Sequence, residues 1–493
     1  MSFYTSTRGE LNNVTSTSAI LKGISEDGGL FVPTVLPKID FDIKDIPKFS
    51  YKELAYEVMK LFFDDIKKED LVYCIDRAYD QKFDTKEIAP LVSVKKASFL
   101  ELFHGPTIAF KDMALTILPY LMLVSKKYCN ENKNIVILTA TSGDTGKAAL
   151  EGFADVEGTK IIVFFPQEGV SEIQKRQMVT QCGKNTFVVG VKGNFDDCQT
   201  GVKEIFTNPS FEEELAQRNY KFSSANSINI GRLIPQVVYY FFSYGQLIKE
   251  GKLEAGQPMN VVVPTGNFGN ILAAYYAKRM GLPIGKLICA SNSNKVLFDF
   301  FENGVYDKNR AFELTISPSM DILISSNLER LLYHISGENA NLVKDMMNSL
   351  KEKGNYTITT SMKEKLSDFY GGYADDETTK AYIKKVFEEE AYLMDTHTAV
   401  AYAVFDQYLK ETNDTTPTII ISTASPYKFT GSVMGSLDKK YESADDFVLL
   451  KEMEKLLGKK MPQAMQDIDT REIRHETVCE VNEMKKIIDK FLE

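Results

Sequence analysis

Two patterns of apolar residues divide the chain. Up to about residue 96 they recur at helical spacing: residues 51–63 place Tyr51, Leu54, Ala55, Val58 and Met59 on one face, and residues 65–80 continue in the same style. Residues 28–33 read as a turn followed by a short extended piece. Beyond this region the pattern changes to short unbroken apolar runs rich in β-branched residues, at 134–139, 160–166, 186–191, 260–264, 286–290 and 418–421. Helical patterns such as 147–150 and 271–276 separate them. Runs that do not alternate belong to strands covered on both faces, so the spacing predicts an α/β architecture of buried parallel strands. Residues 303–390 return to charge-rich helical spacing and read as a mostly helical insertion between the later strands. The tail beyond Asp445 reads as polar helices.

At 493 residues the chain is too long for one ordinary core, and two or three domains are expected. A net charge of −10 argues against general nucleic-acid binding, which needs basic stripes, but leaves room for a locally positive site. The N-terminus carries no basic stretch followed by an apolar one, and no apolar run approaches the roughly 20 residues of a membrane span. A cytoplasmic protein without nucleic-acid or membrane partners is expected. The six cysteines are scattered and unpaired by motif, and with only four histidines no metal site is expected.

Three loops follow strands at the position where α/β folds bind ligands, beyond the carboxyl ends of parallel strands. The first contains Thr141, Ser142, Gly143, Asp144 and Thr145 and opens a helix. Small residues let its amides converge on an anion such as a carboxylate; a helix capped by Ser142 or Asp144 accounts for the same residues. It is not a nucleotide-binding P-loop, because Thr141 stands where the first glycine is needed and Ala148 where a magnesium-holding hydroxyl is needed. The second, Gly266, Asn267, Phe268, Gly269 and Asn270, allows close backbone approach at a helix start and suits a phosphate monoester; a tight strand–helix turn is the other reading. The third runs from Ser422 through Thr423 and Ser425 to Phe429, and on its own decides nothing. Arg232 lies six residues after Asn226, so a phosphate or carboxylate clamp and a structural salt bridge are both open. Lys111 follows a small-residue turn, His104 to Ala109, and precedes an apolar helix, a setting in which a lysine can lose solvent and its proton and act as an amine nucleophile.

Together, Ala109-Phe110-Lys111-Asp112, the 141–146 loop, the 264–270 loop and Ser422-Thr423-Ala424-Ser425-Pro426-Tyr427-Lys428-Phe429 occur in an order that resembles the threonine synthases, in the longer bacterial and fungal branch. The resemblance covers essentially the whole chain, including residues 4–9, 27–33 and 325–331. It implies a fold-type-II, tryptophan-synthase-β-like enzyme of pyridoxal 5′-phosphate (PLP), with two open, mostly parallel α/β domains and a mainly helical N-terminal region. The implied units are residues 1–96, 97–235 and 236–493, with the insertion 303–390 in the last.

The resemblance also implies roles. Lys111 matches the Schiff-base lysine. Gly266, Asn267, Phe268, Gly269 and Asn270 match the loop around the cofactor phosphate. Thr423, with Ser425 as rival, matches the hydroxyl near the pyridine nitrogen. Thr141, Ser142, Gly143, Asp144 and Thr145 match the loop for the substrate carboxylate, and Asn226 and Arg232 a substrate-phosphate site. The implied reaction converts O-phospho-L-homoserine and water into L-threonine and phosphate, by a monomer or homodimer. A threonine or serine dehydratase, or a non-catalytic PLP-binding relative, is the alternative.

Three departures stand out. Asp144 occupies a position where relatives outside this branch carry asparagine; it must be protonated, turned away, or used to hold the loop. Ser425 and Tyr427 replace the histidine and alanine common in the third loop. Asp395-Thr396-His397-Thr398-Ala399 has threonine in place of a usual proline, and His397 reads as structural.

Overall fold

The computed structural model describes residues 2–141, 143–168 and 170–493. Two open sheets organise it. The larger has six strands in the order Phe369–Tyr373, Ile284–Ser291, Met259–Pro264, Thr418–Ser422, Ser98–Glu101 and Leu91–Ser93. All its pairings are parallel except the last. The smaller has five strands, Val478–Cys479, Thr186–Val191, Thr159–Pro166, Asn134–Ala140 and Tyr220–Ser223, paired in parallel throughout. The expected α/β architecture with mostly parallel sheets is therefore observed. Central strands such as Met259–Pro264 and Thr418–Ser422 are buried at every position, as their unbroken apolar runs require.

The helix Ile230–Lys249 lies at the centre of the molecule, with every residue from Ile230 to Gly245 buried. The N-terminal region packs on it through the helix Tyr51–Met59, which starts with a capping box: Ser50 accepts from the Glu53 amide and Glu53 from the Ser50 amide. Arg8 of this region grips Glu329 through two bonds of 2.9 Å. The fully buried Arg330 donates to the carbonyls of Phe31 and Ile228 and to the Asn327 side chain.

The chain departs from the sequence expectation in three places. Ser98–Glu101, assigned with residues 97–235, pairs with Thr418–Ser422 in the larger sheet. The insertion contributes an edge strand, Phe369–Tyr373, whose Gly371 and Gly372 mask a strand signature. Those glycines are needed because helices approach closely: a Cβ on Gly372 would sit 2.5 Å from Val404 Cγ1. Finally, the tail leaves the larger sheet and adds Val478–Cys479 to the edge of the smaller one. There the Gly190 amide donates to Thr477 O (2.9 Å) and the Lys192 amide to Cys479 O (3.0 Å). On its way it receives three hydrogen bonds from Arg176, at the carbonyls of Ile468, Asp469 and Arg471.

Candidate active site

Lys111 ends the turn that follows Ser98–Glu101 and precedes the short helix Asp112–Leu115. Its backbone is tied to the third loop: the Phe110 amide donates to Thr423 O (2.8 Å), and the Ser425 amide to Ile108 O (3.0 Å). Ile108 holds a φ of 52°, a left-handed conformation uncommon for a β-branched residue. Asp112 braces the same turn, accepting from the Thr107 amide (2.8 Å) and hydroxyl (2.6 Å). Burial lifts its carboxyl to about 6, and the Thr107 bonds oppose that rise.

The Lys111 side chain is 12% exposed, and among the described residues its Nζ has only long polar contacts, 3.4 Å to Ser319 Oγ and 3.6 Å to Asp144 Oδ2. Burial pushes its amine below the ordinary lysine range; Asp144 opposes this, and the Lys428 and Arg232 charges reinforce it. A neutral amine is the form that can act as a nucleophile or accept a proton.

Asp144 begins the helix Asp144–Phe153. Its Oδ1 faces Lys428 Nζ at 3.1 Å and accepts from Gln174 Nε2 at 2.9 Å, while Oδ2 accepts from Ser319 Oγ at 3.4 Å. Burial alone would raise its pKa, but Lys428 and Lys111 outweigh burial and hold it well below the usual carboxylate range. The close approach of Lys428 Nζ to Oδ1 favours the ionised carboxylate and ties it to the third loop. The Thr141 hydroxyl is engaged inside the same loop, accepting from the amides of Gly143 (3.1 Å) and Gly146 (3.0 Å) and donating to Gly143 O (3.0 Å). Ser142 lies outside the described residues. Thr145 is half-buried.

The second loop stands across from Lys111. A Cβ on Gly266 would lie 2.5 Å from Ser319 O, so only glycine fits. Phe268 takes a left-handed φ of 64° and starts the helix Gly269–Met280. Among the described residues, the amides of 266–270 have no acceptor, which leaves a row of donors at a positive helix end. Supports from outside fix the loop: Ser325 Oγ donates to Gly266 O (2.7 Å), and Asn327 Nδ2 to Asn267 O (2.9 Å). Asn270 is buried and Asn267 exposed. Such a cradle fits a phosphate, and its separation from Lys111 by one residue, Ser319, fits a cofactor that spans amine and phosphate.

Ser425 Oγ accepts from the Tyr427 amide (3.4 Å) and caps the turn Pro426–Phe429, whereas the Thr423 hydroxyl has no partner among the described residues. Arg232, near the start of the central helix, is 4% exposed and has no carboxylate partner among the described residues. Its Nη1 donates to Ala225 O (2.9 Å) and its Nε has no acceptor. Burial lowers its guanidinium to about 10. Asn229, between Asn226 and Arg232, is the helix cap; Asn226 is exposed and reaches Arg232 only through neighbouring backbone.

Four participants were not assigned by sequence: Lys428, Gln174, Ser319 and, as a support, His397. His397 Nδ1 is 2.7 Å from Asp395 Oδ2, and its Nε2 accepts from the Ser319 amide at 3.1 Å. It therefore fixes Ser319 rather than reaching the pocket, in keeping with its structural reading. Lys428 belonged to the quoted third loop, and a buried lysine among apolar residues was the only local signal.

Residues 90–424 match the family model described as pyridoxal-phosphate dependent enzyme, more than half of the chain. The chain therefore belongs to the PLP-dependent enzymes, and its two open parallel sheets are of fold type II. Residues 3–79 match the model for the threonine synthase N terminus, and residues 398–488 that for the threonine synthase C-terminal part. Threonine synthase from Schizosaccharomyces pombe is 38% identical over 87% of this chain and 88% of its own length. The crystal structure of PLP-bound threonine synthase from Brucella melitensis superposes with a TM-score of 0.87 at 35% identity, over 100% of this chain and 99% of that one. This chain is a member of the threonine synthase family. Human threonine synthase-like 1 is 41% identical over 86% of this chain, which spans 58% of that relative's length.

Proposed function

We propose that this protein uses PLP to convert O-phospho-L-homoserine and water into L-threonine and phosphate. The observation that carries the reading is the pair of separate anion sites. The amides of 266–270, without acceptors among the described residues, suit the cofactor's phosphate, and the guanidinium of Arg232, which has no carboxylate partner and an Nε without an acceptor among those residues, suits a second phosphate on the substrate. Lys111 and Lys428 both border Asp144, and Arg232 adds a further basic group that acts on Lys111, so basic side chains predominate at the pocket.

PLP supplies the electron sink that makes the bonds next to the substrate's amino group reactive. The chain's residues do the rest. Lys111 Nζ, whose pKa burial lowers, would take and return a proton at the α-carbon. The loop of Thr141, Ser142, Gly143, Asp144 and Thr145 receives the substrate carboxylate, with Thr141 shaping the loop from inside. Arg232, with Asn226, holds the leaving phosphate. Thr423 would face the pyridine nitrogen: its hydroxyl has no partner among the described residues, whereas the Ser425 hydroxyl caps the turn Pro426–Phe429. All these groups come from one chain, consistent with a monomer or homodimer. We read the site of action as cytoplasmic. Among the described residues no helix is long and apolar enough to cross a membrane.

The test is to mix the PLP-loaded protein with O-phospho-L-homoserine and measure phosphate and threonine together. Equal yields support the reaction. Oxo-acid formation from threonine or serine, with no phosphate release, would replace it with a dehydratase; bound cofactor with no turnover would leave a binding protein. Lys111→Ala is expected to keep the fold by circular dichroism and to lose turnover.

A further inference from the structure

Lys428 is a fully buried charge beside the pocket, with a side chain 0% exposed. An ammonium has three protons, and this one has three acceptors: Thr107 O at 2.9 Å, Asp144 Oδ1 at 3.1 Å and Gln177 Oε1 at 3.5 Å. Lys111, by contrast, reaches the other oxygen of Asp144 only at 3.6 Å and shares it with Ser319 Oγ at 3.4 Å. The two lysines thus divide one carboxylate unequally. One is anchored on it, and the other is left beside it.

We propose that Lys428 is a positioning residue for Lys111: by anchoring Asp144 through Oδ1 it keeps that carboxylate from pairing tightly with Lys111, which is thereby free to give up its proton. The proposal rests on Lys111 being the amine that carries the cofactor. The charged groups around Lys111 are Asp144 from the helix Asp144–Phe153, Lys428 from the third loop, Arg232 from the central helix and Asp112 from its own turn. His397 touches the group through the Ser319 amide. Arg232 adds a further positive charge but has no contact with Asp144, so it cannot anchor that carboxylate. Lys428 also acts on Asp112, opposing the upward push of burial on that carboxyl, so one buried cation biases both acids next to Lys111.

The pairing also accounts for the presence of an aspartate at position 144. An ionised carboxylate is costly beside a cofactor that carries negative oxygens, unless a fixed cation neutralises it. Lys428 supplies that cation, and the Gln174 amide donates to the same oxygen at 2.9 Å.

The experiment is a pH titration of the holoenzyme's visible cofactor absorbance, which reports the proton on Lys111 Nζ. Peptide mapping after borohydride reduction first establishes which lysine carries the cofactor. Removing a nearby positive charge favours the protonated nitrogen, so Lys428→Met should move the midpoint up by about 1 pH unit or more. Asp144→Asn should move it down, and Lys428→Arg, which keeps the charge, should leave it near the wild-type value. The neutral pair Lys428→Met with Asp144→Asn should lie between the two single variants. If Lys428→Met fails to fold, Asp144→Asn decides alone, since the proposal requires a downward shift there. Unmoved or reversed midpoints with the cofactor on Lys111 overturn this proposal and leave the proposed reaction untouched. Cofactor found on another lysine overturns the reading of Lys111 and this proposal with it.

Discussion

Replacing Arg232 by methionine separates substrate binding from folding, because the two effects run in opposite directions. In the folded protein the guanidinium is buried without a carboxylate among the described residues, and the lowering of its pKa to about 10 corresponds to about 3 kcal/mol against its charged form. Against this stands one neutral acceptor, Ala225 O, whose bond contributes about 1–3 kcal/mol. Methionine of similar length removes both terms, so the melting temperature should hold or rise slightly. With substrate present the balance reverses. Charge-assisted bonds to a phosphate contribute about 1.5–3 kcal/mol each, and losing two of them lowers kcat/KM by about a hundred- to a thousand-fold or more. The loss should appear chiefly in KM for phosphohomoserine, measured by phosphate release, with cofactor content unchanged by absorbance. If the melting temperature and cofactor content fall together while KM stays put, Arg232 is a structural residue and the two-phosphate argument fails.

Thr423→Val should change the absorbance of the bound cofactor while leaving the fold intact. Ser425→Ala should leave the spectrum alone and destabilise the protein by about 1 kcal/mol in urea, the cost of a lost cap; identical spectral effects would undo the distinction. Gly266→Ala places a methyl 2.5 Å from Ser319 O, so dialysis should strip the cofactor far faster than from wild type, and wild-type retention would contradict the cradle. His104 sits between Asp84 (2.5 Å) and Glu101 (2.9 Å); burial alone would depress its pKa, but the two carboxylates raise it to about 9. A raised folded pKa means the stabilisation is complete below about pH 6.5 and is lost as pH climbs through 9. His104→Gln should therefore flatten the fall in urea stability across that window, and a variant with the wild-type slope would refute it.

What the sequence made legible was local. Lys111 and the two glycine loops stand out because their function needs glycines, hydroxyls and a strand–helix junction within a few residues. What it hid was assembled from afar. Ser319 meets Lys111 across more than two hundred positions, and its own amide is fixed by His397 from a third element. The state of Asp144 could not be read without knowing that Lys428 is folded against it. Likewise the strand Phe369–Tyr373 escaped notice because its glycines answer to the packing of Phe301 and Val404, not to strand preference. The preference for Thr423 over Ser425 in the proposed site rests on something a sequence omits, that the Ser425 hydroxyl caps a turn while that of Thr423 has no partner among the described residues.

The crossing tail has a consequence for biogenesis. The edge of the smaller sheet at Gly190 and Val191 is sealed by Val478 and Cys479, residues made long after the rest of that sheet. While the chain is still emerging from the ribosome, that edge stays open and able to recruit a stray strand from another nascent chain. Slowing translation between the two segments, or pausing it just before residue 478, should therefore prolong chaperone dependence without altering the native protein.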